Sequence, residues 1–141
     1  MALASTDIRK ILTYSTISQT GLMFLACGIG AFDTAIFHLS IHAYAKVLLF
    51  FCAGNIMYTL QIGADLAETG GLKNKVPSIF RAFMIGTLTL SGIPFMSGFF
   101  SHDAILWKTL ISHPLGGFIF GLLTLLINGI TVFYLFRMLY K

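Results

Sequence analysis

The sequence predicts an all-α integral membrane protein of about four transmembrane helices, the third of them broken. Three observations carry that expectation. Of the 141 residues, 57% are hydrophobic and only 10% charged, with a mean hydropathy of +0.88, whereas soluble domains are about a quarter charged. The length suits roughly four spans of about 20 residues and leaves no room for a soluble catalytic domain. Apolar stretches continue to the C-terminal end, and the opening MALASTDIRK has no apolar core, so a signal peptide does not explain the hydropathy.

The first apolar segment, roughly 11–30, carries Thr13, Ser15, Thr16, Ser18, Gln19 and Thr20. Such side chains line hydrated paths or join helices in a bilayer, and packing is the role expected here. Gly28 and Gly30, with Asp33, mark the following turn. The second segment, roughly 33–61, contains FHLSIHAYAKVLLFF, in which His38, His42 and Lys46 recur every fourth residue. Each step of four advances a helix by about 40°, so the three form one stripe about 12 Å long.

The polar stretch GADLAETGGLKNKVP reads as a loop. The third segment, roughly 78–111, is longer than one plain span needs and holds SGIPFMSGFFSHD in its middle. Gly92, Pro94 and Gly98 break the helix there, while Ser91, Ser97 and Ser101 can bond the freed backbone groups. Breaks at membrane depth line water or protein, and they often mark ion sites in transporters. The turn HPLGG leads into the fourth segment, roughly 115–138, with Thr124, Asn128 and Thr131. No low-complexity tract or internal repeat is visible, and residues 1–141 read as a single membrane domain.

If the four segments alternate across the bilayer, Arg9, Lys10, Lys73, Lys75, Arg81, Arg137 and Lys141 share one side, and Asp33 with Lys108 lies toward the other. This is the positive-inside pattern. The net charge of +4 therefore reads as topology, and no nucleic-acid partner is expected.

An ammonium at mid-membrane costs at least about 2.5 to 3.5 kcal/mol, so Lys46 should face protein or water. Burial disfavours its charge and nearby anions favour it, so a partly hydrated lysine can lose and regain a proton. His38 and His42 can relay that proton. A lone membrane histidine is more often a helix–helix hydrogen bonder, but the lysine on the same stripe favours proton transfer. HxxxH without HExxH's glutamate or a third ligand gives no metal site, and haem ligation needs imidazoles from facing helices. His102 and Asp103 follow the break, where the carboxylate either biases the histidine toward its charged form or caps the second half-helix. Cys27 and Cys52 are far apart with no CxxC spacing, and they read as buried thiols.

The order of STDIRKILTYSTISQTGLMFLACG, IFHLSIHAYAKVLLFFCAGNIMY, GGLKNKVP, GIPFMSGFFSHDAIL and VFYLFRMLY resembles the C-terminal part of the antiporter-like core in the subunit 5 family of respiratory NADH:ubiquinone oxidoreductase, complex I. The resemblance covers nearly the whole chain, and HxxxHxxxK combined with GFxSxD is far more specific than either piece. It implies most of one of two inverted five-helix repeats, crossed by a hydrated axis of lysines, histidines and acids. On that basis Lys46 is the proton-binding lysine, His38 and His42 are relays, Asp103 is the acid after the broken helix, and Arg9 keeps the basic role of a DIKK-like motif. His102 stands where the family usually has a lysine leading toward the proton exit. Histidine still carries a proton but holds it less tightly than lysine.

The resemblance further implies a proton-translocating membrane-arm subunit, with no cofactor bound by this chain and NADH, FMN, Fe–S clusters and ubiquinone held in the parent complex. Expected partners are the lipid bilayer and other membrane-arm subunits, including a chain supplying the missing N-terminal repeat, as for a split-gene product or fragment. The expected location is the mitochondrial inner membrane with both termini on the matrix side, or a bacterial or thylakoid energy-coupling membrane. Two other readings stand beside it: a subunit of a multi-subunit Na+/H+ antiporter, and a structural membrane subunit that has lost pumping.

Overall fold

The computed structural model describes residues 2–61, 63–65, 71–112 and 116–140. Among the described residues six helices follow in order: α1 Ile8–Gly28, α2 Phe32–Leu60, α3 Leu72–Lys75, α4 Pro77–Leu90, α5 Ser97–Ser112 and α6 Gly116–Tyr140. The polar loop and the HPLGG turn expected from the sequence fall partly outside the described residues, at 66–70 and 113–115. Where the loop is described, GGLKNKVP holds the one-turn helix α3, which the composition hides because Leu72 turns inward to the core.

Local chemistry accounts for the helix ends. Asp7 caps α1, its carboxylate accepting from the N–H groups of Arg9 at 2.9 Å and Lys10 at 3.4 Å. Gly30 (φ 78°) and Gly71 (φ 78°) take left-handed backbone at turns. Pro77 opens α4, where its missing N–H is no loss.

The third span is broken as expected. α4 stops at Leu90, and Gly92 (φ 63°) and Phe95 (φ 75°) turn the chain before α5 begins. Glycine at 98 is a packing requirement, because a Cβ there would overlap the carbonyl of Thr89. Ser91 Oγ donates to the Thr87 carbonyl at 2.8 Å and Ser101 Oγ to the Gly98 carbonyl at 3.1 Å, covering backbone acceptors beside the break.

α2 packs against α1, α4 and α5, and α6 packs against those same three helices, so α2 and α6 flank the bundle. Close approach depends on small residues: Gly86 of α4 admits Leu49, and Gly117 of α6 lies against the carbonyls of Thr109 and Leu110. The N–H of Ile8 bonds the carbonyl of Ala64, and the guanidinium of Arg137 donates to the carbonyls of Leu3 and Ser5. Both ends of the described chain therefore meet at one end of the bundle, the one rich in Lys and Arg. Near the opposite end Lys108 Nζ sits 2.7 Å from both carboxylate oxygens of Asp33.

Two of the helices, α2 and α6, are each long and apolar enough to cross a membrane. The surface is apolar and part of the interior polar, the reverse of a soluble domain. Phe24 is 72% exposed and Phe51 69%, whereas Gln19 is 1% exposed and Lys46 6%. Lipid solvates the first pair at no cost and would solvate the second at great cost, so this distribution suits a bilayer.

Candidate proton-transfer site

The polar interior lies on the inward face of α2, where His38, His42 and Lys46 are all buried. Lys46 Nζ donates to the carbonyl of Leu12 on α1 at 2.7 Å. That carbonyl also accepts from Thr16 Oγ1 at 3.0 Å, so the ammonium is held by an oxygen shared with α1's own side chains. The other face of Lys46 borders a groove of about 460 Å3 along α2, with Val47, Phe50, Phe51, Gly54 and Asn55.

His38 is held on both sides. Nε2 lies 3.0 Å from Gln19 Oε1 of α1, and Nδ1 lies 3.0 Å from Ser101 Oγ of α5, just past the break. Gln19 Nε2 in turn donates to Thr131 Oγ1 of α6 at 3.3 Å. The ring of His38 stands 4.8 Å from that of His102, edge to face, and 6.2 Å from that of His42. His42 Nε2 has no partner among the described residues. His102 packs against Gly92, and with Asp103, Phe99, Leu106 and Asn128 it lines a crevice of about 160 Å3. The break glycine thus makes room for an imidazole: a Cβ on Gly92 would come within 3.1 Å of the His102 ring.

Lys46, His42, His38 and His102 therefore form one buried file that passes from α2 to α5. Two residues singled out from the sequence stand apart from it. Arg9 is exposed at the start of α1, with its guanidinium 3.7 Å from Asp7. Asp103 is exposed on α5. It lies in the second turn of a helix that already starts at Ser97, so it is not the cap that its position after the break suggested. Gly92 and Gly98 shape the break, and Pro94 lies within it. Nothing in the sequence signalled the Leu12 carbonyl or the contact between Ser101 and His38; Gln19 and Thr131 do join helices, by their mutual bond, and Gln19 also meets His38.

Residues 1–128 match the model of a family described as NADH:quinone oxidoreductase/Mrp antiporter, transmembrane. The chain belongs to this family. Curated relatives include NAD(P)H-quinone oxidoreductase chain 5 of Synechocystis sp., 42% identical over 146 residues that cover 98% of this chain and 21% of the relative. NADH-quinone oxidoreductase subunit L of Pseudomonas aeruginosa is 41% identical over 140 residues, 99% of this chain and 22% of the relative. NADH-ubiquinone oxidoreductase chain 5 of Phytophthora infestans is 46% identical over 106 residues, 75% of this chain and 16% of the relative. The chain spans about a fifth of the length of the first two. Membership of this oxidoreductase/antiporter family agrees with an all-helical membrane protein whose Lys46, His38, His42 and His102 are buried.

Proposed function

We propose that the chain carries protons in the membrane arm of an NADH:quinone oxidoreductase, as part of one antiporter-like repeat. The observation that carries this reading is the buried file Lys46–His42–His38–His102 inside a bundle whose outer surface is apolar. A cation and three imidazoles in such a place are costly, and they supply groups that exchange protons without redox chemistry. Lys46 would bind the proton, His42 and His38 would relay it, and His102 would pass it on beyond the break, with Asp103 and Arg9 acting from the exposed ends.

The chain itself acts as a non-redox subunit. NADH, FMN, Fe–S clusters and ubiquinone belong to other subunits, and a partner chain supplies the other antiporter-like repeat. The names of the quinone oxidoreductase relatives support a place among the subunits of such an oxidoreductase. We place the chain in the mitochondrial inner membrane with both termini on the matrix side. The one-sided Lys and Arg distribution supports the orientation, and the similarity to the Phytophthora infestans subunit supports the compartment.

Purifying the native complex and identifying every co-purifying chain by mass spectrometry tests the reading. NADH-oxidising and quinone-reducing subunits are the expected companions. The family description also covers Mrp antiporters, which keeps a multi-subunit Na+/H+ antiporter as the second reading, and recovery of antiporter subunits alone would establish it. A structural subunit without pumping predicts normal proton transport in Lys46→Ala.

A further inference from the structure

The hydrogen-bond network around His38 constrains which of its nitrogens can work. Thr131 Oγ1 lies 2.9 Å from the carbonyl of Ile127, its own helix's i−4 acceptor, and donates its single hydrogen there. Toward Gln19 that oxygen can only accept, so the NH2 of Gln19 must face Thr131 and its Oε1 must face α2. An amide oxygen only accepts, so His38 Nε2, 3.0 Å away, must carry a hydrogen. The tautomer of a histidine on α2 is thereby set by a threonine on α6, two hydrogen bonds away.

With Nε2 committed as a donor, the variable proton of His38 lies on Nδ1, which faces Ser101 Oγ at 3.0 Å. The Ser101 hydroxyl has two positions for its one hydrogen: toward His38 Nδ1, or toward the carbonyl of Gly98 at 3.1 Å. Neutral His38 needs the first. When Nδ1 takes a proton, the new N–H donates to Ser101 Oγ and the hydroxyl hydrogen turns to Gly98. No heavy atom has to move, so both charge states fit the same packing. The proton passes to Nδ1 from a protonated neighbour among the titratable groups around the ring and leaves by that same atom to a neutral one, and Ser101 neither gains nor loses one. The charged and titratable groups around this ring are His42 and Lys46 on its own helix, His102 on α5 and Tyr134 on α6, whose hydroxyl lies 3.5 Å from Thr131 Oγ1.

We infer that Thr131 and Gln19 are positioning residues that confine proton exchange at His38 to Nδ1, with the Ser101 hydroxyl as a rotor that accommodates both charge states. The inference deepens the proposed proton transfer and rests on it for its functional meaning, but its test reads the ring directly.

The test is solid-state NMR of the full chain, labelled with 15N,13C-histidine and held in phosphatidylcholine/phosphatidylglycerol bilayers, with the His38 signals assigned by their loss in His38→Gln. The expected result at neutral pH is hydrogen on Nε2 and a bare Nδ1. Thr131→Val, which keeps the shape but loses the acceptor, should lower the ratio of the Nε2–H to the Nδ1–H form about fivefold, the worth of one hydrogen bond. Thr131→Ser should restore it, and Gln19→Leu should act like Thr131→Val. A wild-type ring with its hydrogen on Nδ1 overturns the inference whatever the variants do, and so does a ratio that neither Thr131→Val nor Gln19→Leu moves. If the tautomer behaves as expected while Lys46→Ala transports protons normally, the positioning stands and the proposed function falls.

Discussion

Replacing Lys46 by methionine separates its contribution to stability from the transport role proposed for it. Lys46 is 6% exposed and its ammonium donates to the Leu12 carbonyl at 2.7 Å. Losing that charge-assisted bond costs about 1.5 to 3 kcal/mol. Removing a cation from the bilayer interior relieves about 2.5 to 3.5 kcal/mol. The Leu12 carbonyl is not orphaned, because Thr16 Oγ1 still donates to it at 3.0 Å. Methionine has nearly the lysine stem's length and flexibility, so it leaves little cavity. The opposing terms cancel to within about 2 kcal/mol, which predicts a complex that assembles normally. Proton transfer should nevertheless stop, since a thioether binds no proton at accessible pH. The assay pairs a native gel for assembly with proton uptake by membrane vesicles during NADH oxidation. A Lys46→Met complex that assembles and pumps at the wild-type rate would refute the reasoning, and loss of assembly would refute the energy balance.

Three further outcomes follow from the packing. Gly98→Ala should destabilise the chain by about 3 kcal/mol or more, because the obstacle is the Thr89 carbonyl and cannot rotate away; thermal unfolding in detergent reads this directly. Gly129→Ala meets nothing within 4 Å in the middle of α6, so it should stabilise by about 0.5 to 1 kcal/mol in the same measurement. Asp33→Asn removes the partner of Lys108 from an exposed pair and should leave the melting temperature unchanged, with any small difference vanishing in high salt.

The helices were legible in the sequence because a bilayer leaves an apolar run few other ways to satisfy its backbone. The break was legible because Gly92, Pro94 and Gly98 interrupt one such run. Its geometry was not. Nothing in SGIPFMSGFF announces that Phe95 would take φ 75°, or that Gly98 would touch the backbone one strand of chain earlier at Thr89. Helix α3 stayed hidden for a related reason: a single turn held by the burial of Leu72 has no periodicity to read.

The site was half legible, and the division follows from what each group needs. Lys46 and the histidines stand out because placing them in apolar surroundings costs free energy that only an interior position offsets. The carbonyl of Leu12 carries no residue-type signal at all. The hydroxyl residues are ambiguous because their own helix can satisfy them: Thr13, Thr16, Thr20 and Thr124 each donate to the i−4 carbonyl. Gln19 is different in kind. Its amide oxygen requires a donor, and the N–H groups in the middle of α1 are engaged in the helix ladder, so in an apolar medium that donor must come from another helix. A glutamine at mid-span is therefore a stronger pointer to an inter-helix network than any number of threonines around it. Applied to α1, that criterion picks out Gln19 from among Thr13, Ser15, Thr16, Ser18 and Thr20, and its donor in the fold is His38.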